Sequence, residues 1–175
     1  MVFFGLALSA PTEVRIGGLF PLFRLSGEVL SSGQQRLASF LMAVRDINSD
    51  KELLPNTTVK VSIRDTKFNV GKTFFSALDV STKSFNGEGV NACIGPAASG
   101  ESEAAATVFS HFSTPQISYS STNPLLSNKI NFPYFARTCP SDAFQGSAMA
   151  DIVSKHYGWY AKHFLLQSSV YKLST

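Results

Sequence analysis

Apolar positions along this chain switch repeatedly between a two-residue and a three-to-four-residue rhythm, and each switch marks a change of element. "VRIGGLFPLF" (14–23) predicts a buried first strand. In "GQQRLASFLMAVRDINSD" (33–50), Leu37, Phe40, Leu41, Val44 and Ile47 recur at helical spacing and share one face. "TTVKVSIRDT" (57–66) alternates apolar with polar residues, the pattern of a half-buried strand. "GKTFFSALDVSTKSF" (71–85) predicts a second helix with Phe74 and Leu78 turned inward. "VNACIGP" (90–96) is short and apolar, as a central parallel strand should be. The next helix, from Ser99, carries Ala105, Val108, Phe109 and Phe112 on one stripe. "PQISYSS" (115–121) reads as a fourth strand and "YFART" (134–138) as a short extended piece. "SDAFQGSAMADIVSKHYGW" (141–159) is a helix with Gln145, Ala148, Met149, Ile152 and His156 along one side, and "YAKHFLLQ" (160–167) starts a fifth strand.

Strands and helices in strict alternation predict an α/β fold: an open, mostly parallel sheet with right-handed crossovers and helices on both faces. In such sheets ligands bind beyond the carboxyl ends of the strands, at the point where strand order reverses. That rule selects the loop after the first strand (23–33), the small-residue corner 95–100, "SYSST" and "RTCPSD".

Composition narrows the classes. The chain has 175 residues, 44% hydrophobic and 15% charged, with 15 Phe, enough for one domain with a real core. The net charge of +3 is small and its Lys and Arg are scattered, so there is no nucleic-acid stripe. "MVFFGLALSA" (1–10) is an apolar run with a small-residue exit, broken by Pro11; it reads as the remnant of a secretory signal, with a buried strand as the alternative. "NTT" at Asn56 is a glycosylation acceptor that agrees with an extracellular destination. Cys93 and Cys139 flank apolar runs and suit buried thiols as well as a bridge.

No enzyme signature stands out. A Gly-x-Ser-x-Gly elbow, a dinucleotide fingerprint and a phosphate-loop Lys are all missing, and His111, His156 and His163 lack ligand spacing. No cofactor or metal is expected. Binding chemistry is easier to place. Ser99 is positioned to cap its helix, and a helix start also attracts a carboxylate. Thr122 and Ser120 lie in a Ser/Thr turn, and Asp142 opens a helix, where capping accounts for it. Arg36, in the first turn of its helix, opposes the macrodipole: it is either an exposed Arg tolerated at a small cost or one aimed at an anion.

Taken together, "SGQQRLASFLMAVRDINSDKELLPNTTV", "IGPAASGESEAA", "PQISYSSTNPLLSNK" and "YFARTCPSDAFQGSAMADIV" resemble the extracellular ligand-binding domain of class C G-protein-coupled receptors, metabotropic glutamate receptors among them. The resemblance runs from Val14 to Phe164. It implies lobe one of a two-lobed, periplasmic-binding-type I-like flytrap over 11–167, followed by an unpatterned tail over 168–175, so that the fold would be incomplete. It further implies a membrane-anchored receptor whose anchor lies in further C-terminal parts, an α-amino-acid ligand with glutamate as the candidate, and a homodimer through lobe-one helices. By the same resemblance, Ser99 meets the ligand α-carboxylate, Thr122 and Asp142 the ammonium, and Arg36 a side-chain carboxylate, with Ser120 also counted among the ligand-binding residues.

There are departures from the family pattern. Ala98 stands where a serine precedes the carboxylate serine, Ser32 replaces a pocket tyrosine, and Lys67 occupies the place of a disulfide cysteine. A soluble periplasmic-type amino-acid-binding protein is the alternative reading, and an enzyme on a doubly wound sheet would need a nucleophile that the sequence does not offer.

Overall fold

The computed structural model describes residues 11–83 and 87–157. In chain order the elements are β1 (Glu13–Phe20), α1 (Ser31–Ser49), β2 (Thr58–Asp65), α2 (Val70–Thr82), β3 (Ala92–Ile94), α3 (Ser99–His111), β4 (Gln116–Ser118), a 3₁₀ turn (Pro124–Ser127), β5 (Phe135–Arg137) and α4 (Asp142–Asp151), which runs into one π-helical turn (Ile152–His156). The five strands form one parallel sheet in the order β2-β1-β3-β4-β5. "YFART" is therefore a full member of the sheet, pairing Ile117 with Ala136. The strand expected over 160–167, the segment 1–10 and the tail 168–175 lie outside the described residues.

Register explains the layers. β1 lies alongside β2 from Glu13↔Thr58 to Phe20↔Asp65, and alongside β3 at Gly17↔Cys93. Alternation then sends Leu19 and Cys93 to one face, where they pack with Ala77 and Val80 of α2 and Ala105, Val108 and Phe109 of α3. The other set, Val14, Ile16, Phe20 and Ile94, faces α1 across a cavity of about 890 Å³. Helices thus cover both faces, as the alternating pattern requires. A second apolar cluster joins Ala106, Leu126 and Phe135 under β5.

Helix faces were less legible than helix positions. Phe74 and Leu78 are exposed, and α2 instead buries Thr73, Ala77, Val80 and Ser81, smaller residues that let it lie close on α3. Leu41 and Phe112 are also exposed. None of the α4 side chains is buried, so the stripe Gln145–Met149–Ile152 is exposed rather than turned into a core.

Two features tie the first loop to the sheet edge. Gly33 packs so tightly on the Pro21 carbonyl that a Cβ would overlap it, which fixes the start of α1 against the end of β1. Asp65, at the end of β2, accepts the amide hydrogens of Leu22 (2.9 Å), Phe23 (3.5 Å) and Lys67 (2.9 Å) and pairs with the Lys67 ammonium at 2.9 Å. That ammonium lies 4.6 Å from the Phe23 ring centre, and Arg24 lies 5.5 Å from that of Phe68. Lys67 therefore makes noncovalent ties where the resemblance would place half a disulfide. Both Cys93 and Cys139 are free thiols, and burial pushes the Cys93 thiol far above its ordinary range.

Candidate ligand-binding site

Strand order reverses between β1 and β3, so the carboxyl end of that pair is the place to look. β3 ends at Ile94, and Gly95 turns the chain at φ 94° into a cis bond with Pro96. A side chain at Gly95 would strike the Leu19 carbonyl. The corner's carbonyls are satisfied by side chains reaching back from α3, β4 and the loop beyond it. Gln116 Nε2 donates to the Gly95 carbonyl (3.1 Å), Ser118 Oγ to that of Pro96 (2.7 Å), and Ser121 Oγ to that of Ala97 (3.2 Å). Ser102 Oγ lies 2.7 Å from Ser121 Oγ, closing a buried polar net. The net explains why fully buried Gln116, Ser118 and Ser121 are tolerated in an apolar layer.

α3 starts from this corner. Ser99 is not its cap: Ala98 holds the cap position in extended conformation, and no side chain caps the helix. Ser99 is the first helical residue, and its Oγ accepts the Asn123 amide at 3.2 Å. The amides of the first turn therefore keep no side-chain partner and face the site with the positive end of the helix dipole. Glu101, in the same turn, is buried and accepts from Thr73 Oγ1 at 3.0 Å, which links α3 to the start of α2.

Opposite lies the loop after β4. Ser118 Oγ accepts the amides of Ser120 (3.3 Å) and Ser121 (3.1 Å), so the Ser/Thr turn is built on Ser118, leaving Ser120 exposed and Thr122 free of that task. The Thr122 hydroxyl instead donates to the Asp142 carboxylate at 2.9 Å. Asp142 is not a cap either: Ser141 caps α4 through the Ala143 amide, and Asp142 is the first helical residue. Arg137 holds the loop from below by donating to the carbonyls of Ser121 (3.2 Å) and Asn123 (2.9 Å).

Arg36 is the fifth candidate. α1 begins at Ser31, two residues earlier than the sequence suggested, so Arg36 sits in the second turn, where the opposing dipole is weaker. Among the described residues its guanidinium has no carboxylate partner. It lies 5.4 Å from the ring centre of Tyr119, which belongs to the same loop as Ser120 and Thr122. Tyr119 stacks in turn on Phe20 at 5.9 Å and 10°. Burial, the largest influence, pushes the Tyr119 phenol well above its ordinary range; Arg36 pulls it down, and Glu101 and Cys93 raise it further.

The fold thus gathers Ser99, Ser120, Thr122 and Asp142 around one loop and joins Arg36 to that loop through Tyr119. Asn123, Arg137 and Tyr119 were not singled out in the sequence. Only Arg137, a lone cation in an otherwise apolar short strand, carried a signal that could have found it. Among the described residues, no group of His, Cys, Asp and Glu could hold a metal ion, and no helix is long and apolar enough to cross a membrane.

Residues 35–175 match the family described as receptor family ligand binding region. Metabotropic glutamate receptor 8 of Homo sapiens is 35% identical over 172 residues, covering 84% of this chain and 19% of that protein. The metabotropic glutamate receptor of Drosophila melanogaster is 34% identical, covering 87% and 18%. Glutamate receptor 3.7 of Arabidopsis thaliana is 32% identical over 149 residues, covering 85% and 15%. The chain spans about a fifth or less of the length of these relatives. It belongs to the receptor ligand-binding-region family and is a class C, metabotropic glutamate receptor-like ligand-binding domain sequence.

Proposed function

We propose that this chain is the lobe through which a class C receptor takes hold of an α-amino acid, with glutamate as the candidate ligand. The observation that carries the reading is the Thr122–Asp142 pair, an anionic acceptor set facing the uncapped start of α3. An ammonium has three donors and no acceptor, so Asp142 and the Thr122 oxygen suit it. A carboxylate suits the Ser99 hydroxyl and the bare amides of α3, and the unpaired fork of Arg36 suits a second carboxylate. An acidic amino acid is the ligand that uses all three. Ser120 lies at the rim of the same loop.

Signalling would follow from a second lobe closing over the bound amino acid, on the outer face of the plasma membrane. Exposed Val70, Phe74, Phe75 and Leu78 give α2 an apolar outer surface. That surface is suited to pairing two copies of the lobe. Asn56, exposed in a turn at φ 64°, would be glycosylated on the secretory route.

Titration of the ¹⁵N-labelled chain with L-glutamate, followed by amide shifts that register weak binding, tests the site. Saturable shifts centred on Ser99–Glu101, Ser120–Asn123 and Asp142, weaker for D-glutamate, are expected. Shifts scattered elsewhere, or none up to high millimolar ligand, would refute the reading.

A further inference from the structure

The acidic-ligand reading leaves open what holds Arg36 in place. A guanidinium on a long side chain, without a carboxylate partner, loses rotamer freedom when it is fixed for a ligand. Among the described residues its tie is to an aromatic ring. The Arg36 Cζ lies 5.4 Å from the Tyr119 centroid, within cation–π range. Tyr119 is itself held, stacking on Phe20 at 5.9 Å, and Phe20 in turn meets Phe40 at 5.5 Å, one helical turn beyond Arg36 on α1. The tie therefore closes a circuit: α1 to β1, β1 to the loop after β4, and that loop back to α1. Arg36 and Tyr119 both line the cavity under α1.

The hydroxyl does not explain Tyr119. Its oxygen is buried and has no hydrogen-bond partner among the described residues, a condition that ordinarily costs stability. The ring, not the phenol, is what the surroundings use. We infer that Tyr119 is a positioning residue for acidic-ligand specificity, a platform that holds the Arg36 guanidinium for the ligand's side-chain carboxylate. The inference rests on the amino-acid reading of the site above. It adds a division of labour: Thr122 and Asp142 would recognise any α-amino acid, whereas the Tyr119–Arg36 pair would separate acidic from neutral ones. Because Tyr119 directly precedes Ser120 in the loop, the two functions share one backbone.

The test uses the isotope-labelled chain, with L-glutamate and L-alanine as probes. In the unsubstituted chain, nuclear Overhauser contacts between the Tyr119 ring and the Arg36 δ protons are expected, and their absence would overturn the platform without any variant. Tyr119→Phe should keep the Arg36 Nε–Hε resonance in place and keep glutamate affinity. Tyr119→Leu, which fills the space without a π face, should move that resonance and weaken glutamate binding by roughly three- to twenty-fold while leaving alanine unchanged. Equal losses for both amino acids, or an unmoved Arg36 resonance, would sink the proposal. If the unsubstituted chain binds neither probe, the amino-acid reading fails and takes the specificity role with it, whereas loss of the platform alone leaves that reading intact.

Discussion

The Thr122 hydroxyl donates to the Asp142 carboxylate at 2.9 Å, and the Asp142 amide donates to the Thr122 carbonyl at 2.9 Å. The two residues are twenty positions apart, yet each holds the other by both side chain and backbone. The backbone bond fixes the two residues side by side, and the side-chain bond orients the carboxylate and hydroxyl. Such a pair is preorganised, so a ligand ammonium would meet it without first ordering it.

Asp142→Asn separates charge from shape. The amide side chain can still accept from Thr122, but the negative charge is gone. Glutamate affinity should fall about 10- to 100-fold, the range for losing a charge-assisted hydrogen bond of about 1.5–3 kcal/mol, while the melting temperature hardly moves. Calorimetric or NMR titration alongside thermal denaturation checks both halves.

Ser99→Ala removes the hydroxyl that accepts the Asn123 amide and would donate to a carboxylate. Binding should weaken by about five-fold or more, because an ionised acceptor loses its donor. α3 itself should stay intact, since Ser99 does not cap it. Unchanged affinity in a folded variant would remove Ser99 from the site.

Acid sensitivity should trace to Asp65. Burial by itself would raise its carboxyl, but the Lys67 amide and ammonium and the Leu22 and Phe23 amides outweigh burial and hold it below the ordinary carboxylate range. A carboxyl lowered on folding gives stability that is complete above its unfolded pKa, near 3.9, and is lost as pH falls through the lower folded value. Asp65→Asn should cost about 1–3 kcal/mol at pH 7, and the difference from the parent chain should shrink as pH falls below the unfolded carboxylate value and through the lowered folded one. Denaturant unfolding across pH 2–8 would show it; a constant difference across that range would be the contrary result.

Phe75→Glu with Leu78→Glu places charges on the exposed face of α2. If that face pairs two lobes, sedimentation should show the parent chain dimerising with concentration and the double variant staying monomeric. Expressed through a eukaryotic secretory route, the parent should also carry an endoglycosidase-sensitive mass that Asn56→Gln lacks.

The parallel sheet was legible because short apolar runs separated by helical rhythm admit few other topologies. The inward face of α2 was not, since its apolar residues form more than one stripe and only the proximity of α3 selects Ala77 and Val80 over Phe74 and Leu78. Capping was misplaced by one residue at both Ser99 and Asp142, because neighbouring small or polar residues can each hold the extended cap conformation. That single step matters, for it releases both side chains from capping and leaves them to the loop after β4. Tyr119 stayed hidden because its surroundings come from β1, α1 and the loop after β4, which no local window contains.

Gly95 bears on how a mutational scan of this protein should be interpreted. It touches no ligand in the proposed site, yet any side chain there would wedge against Leu19 and push β3 off its neighbour, carrying Ser99 with it. A scan scored on binding alone would rank Gly95 beside the contact residues. Scored on abundance as well, it should separate from them, and sites such as Asp142 should lose binding at undiminished expression.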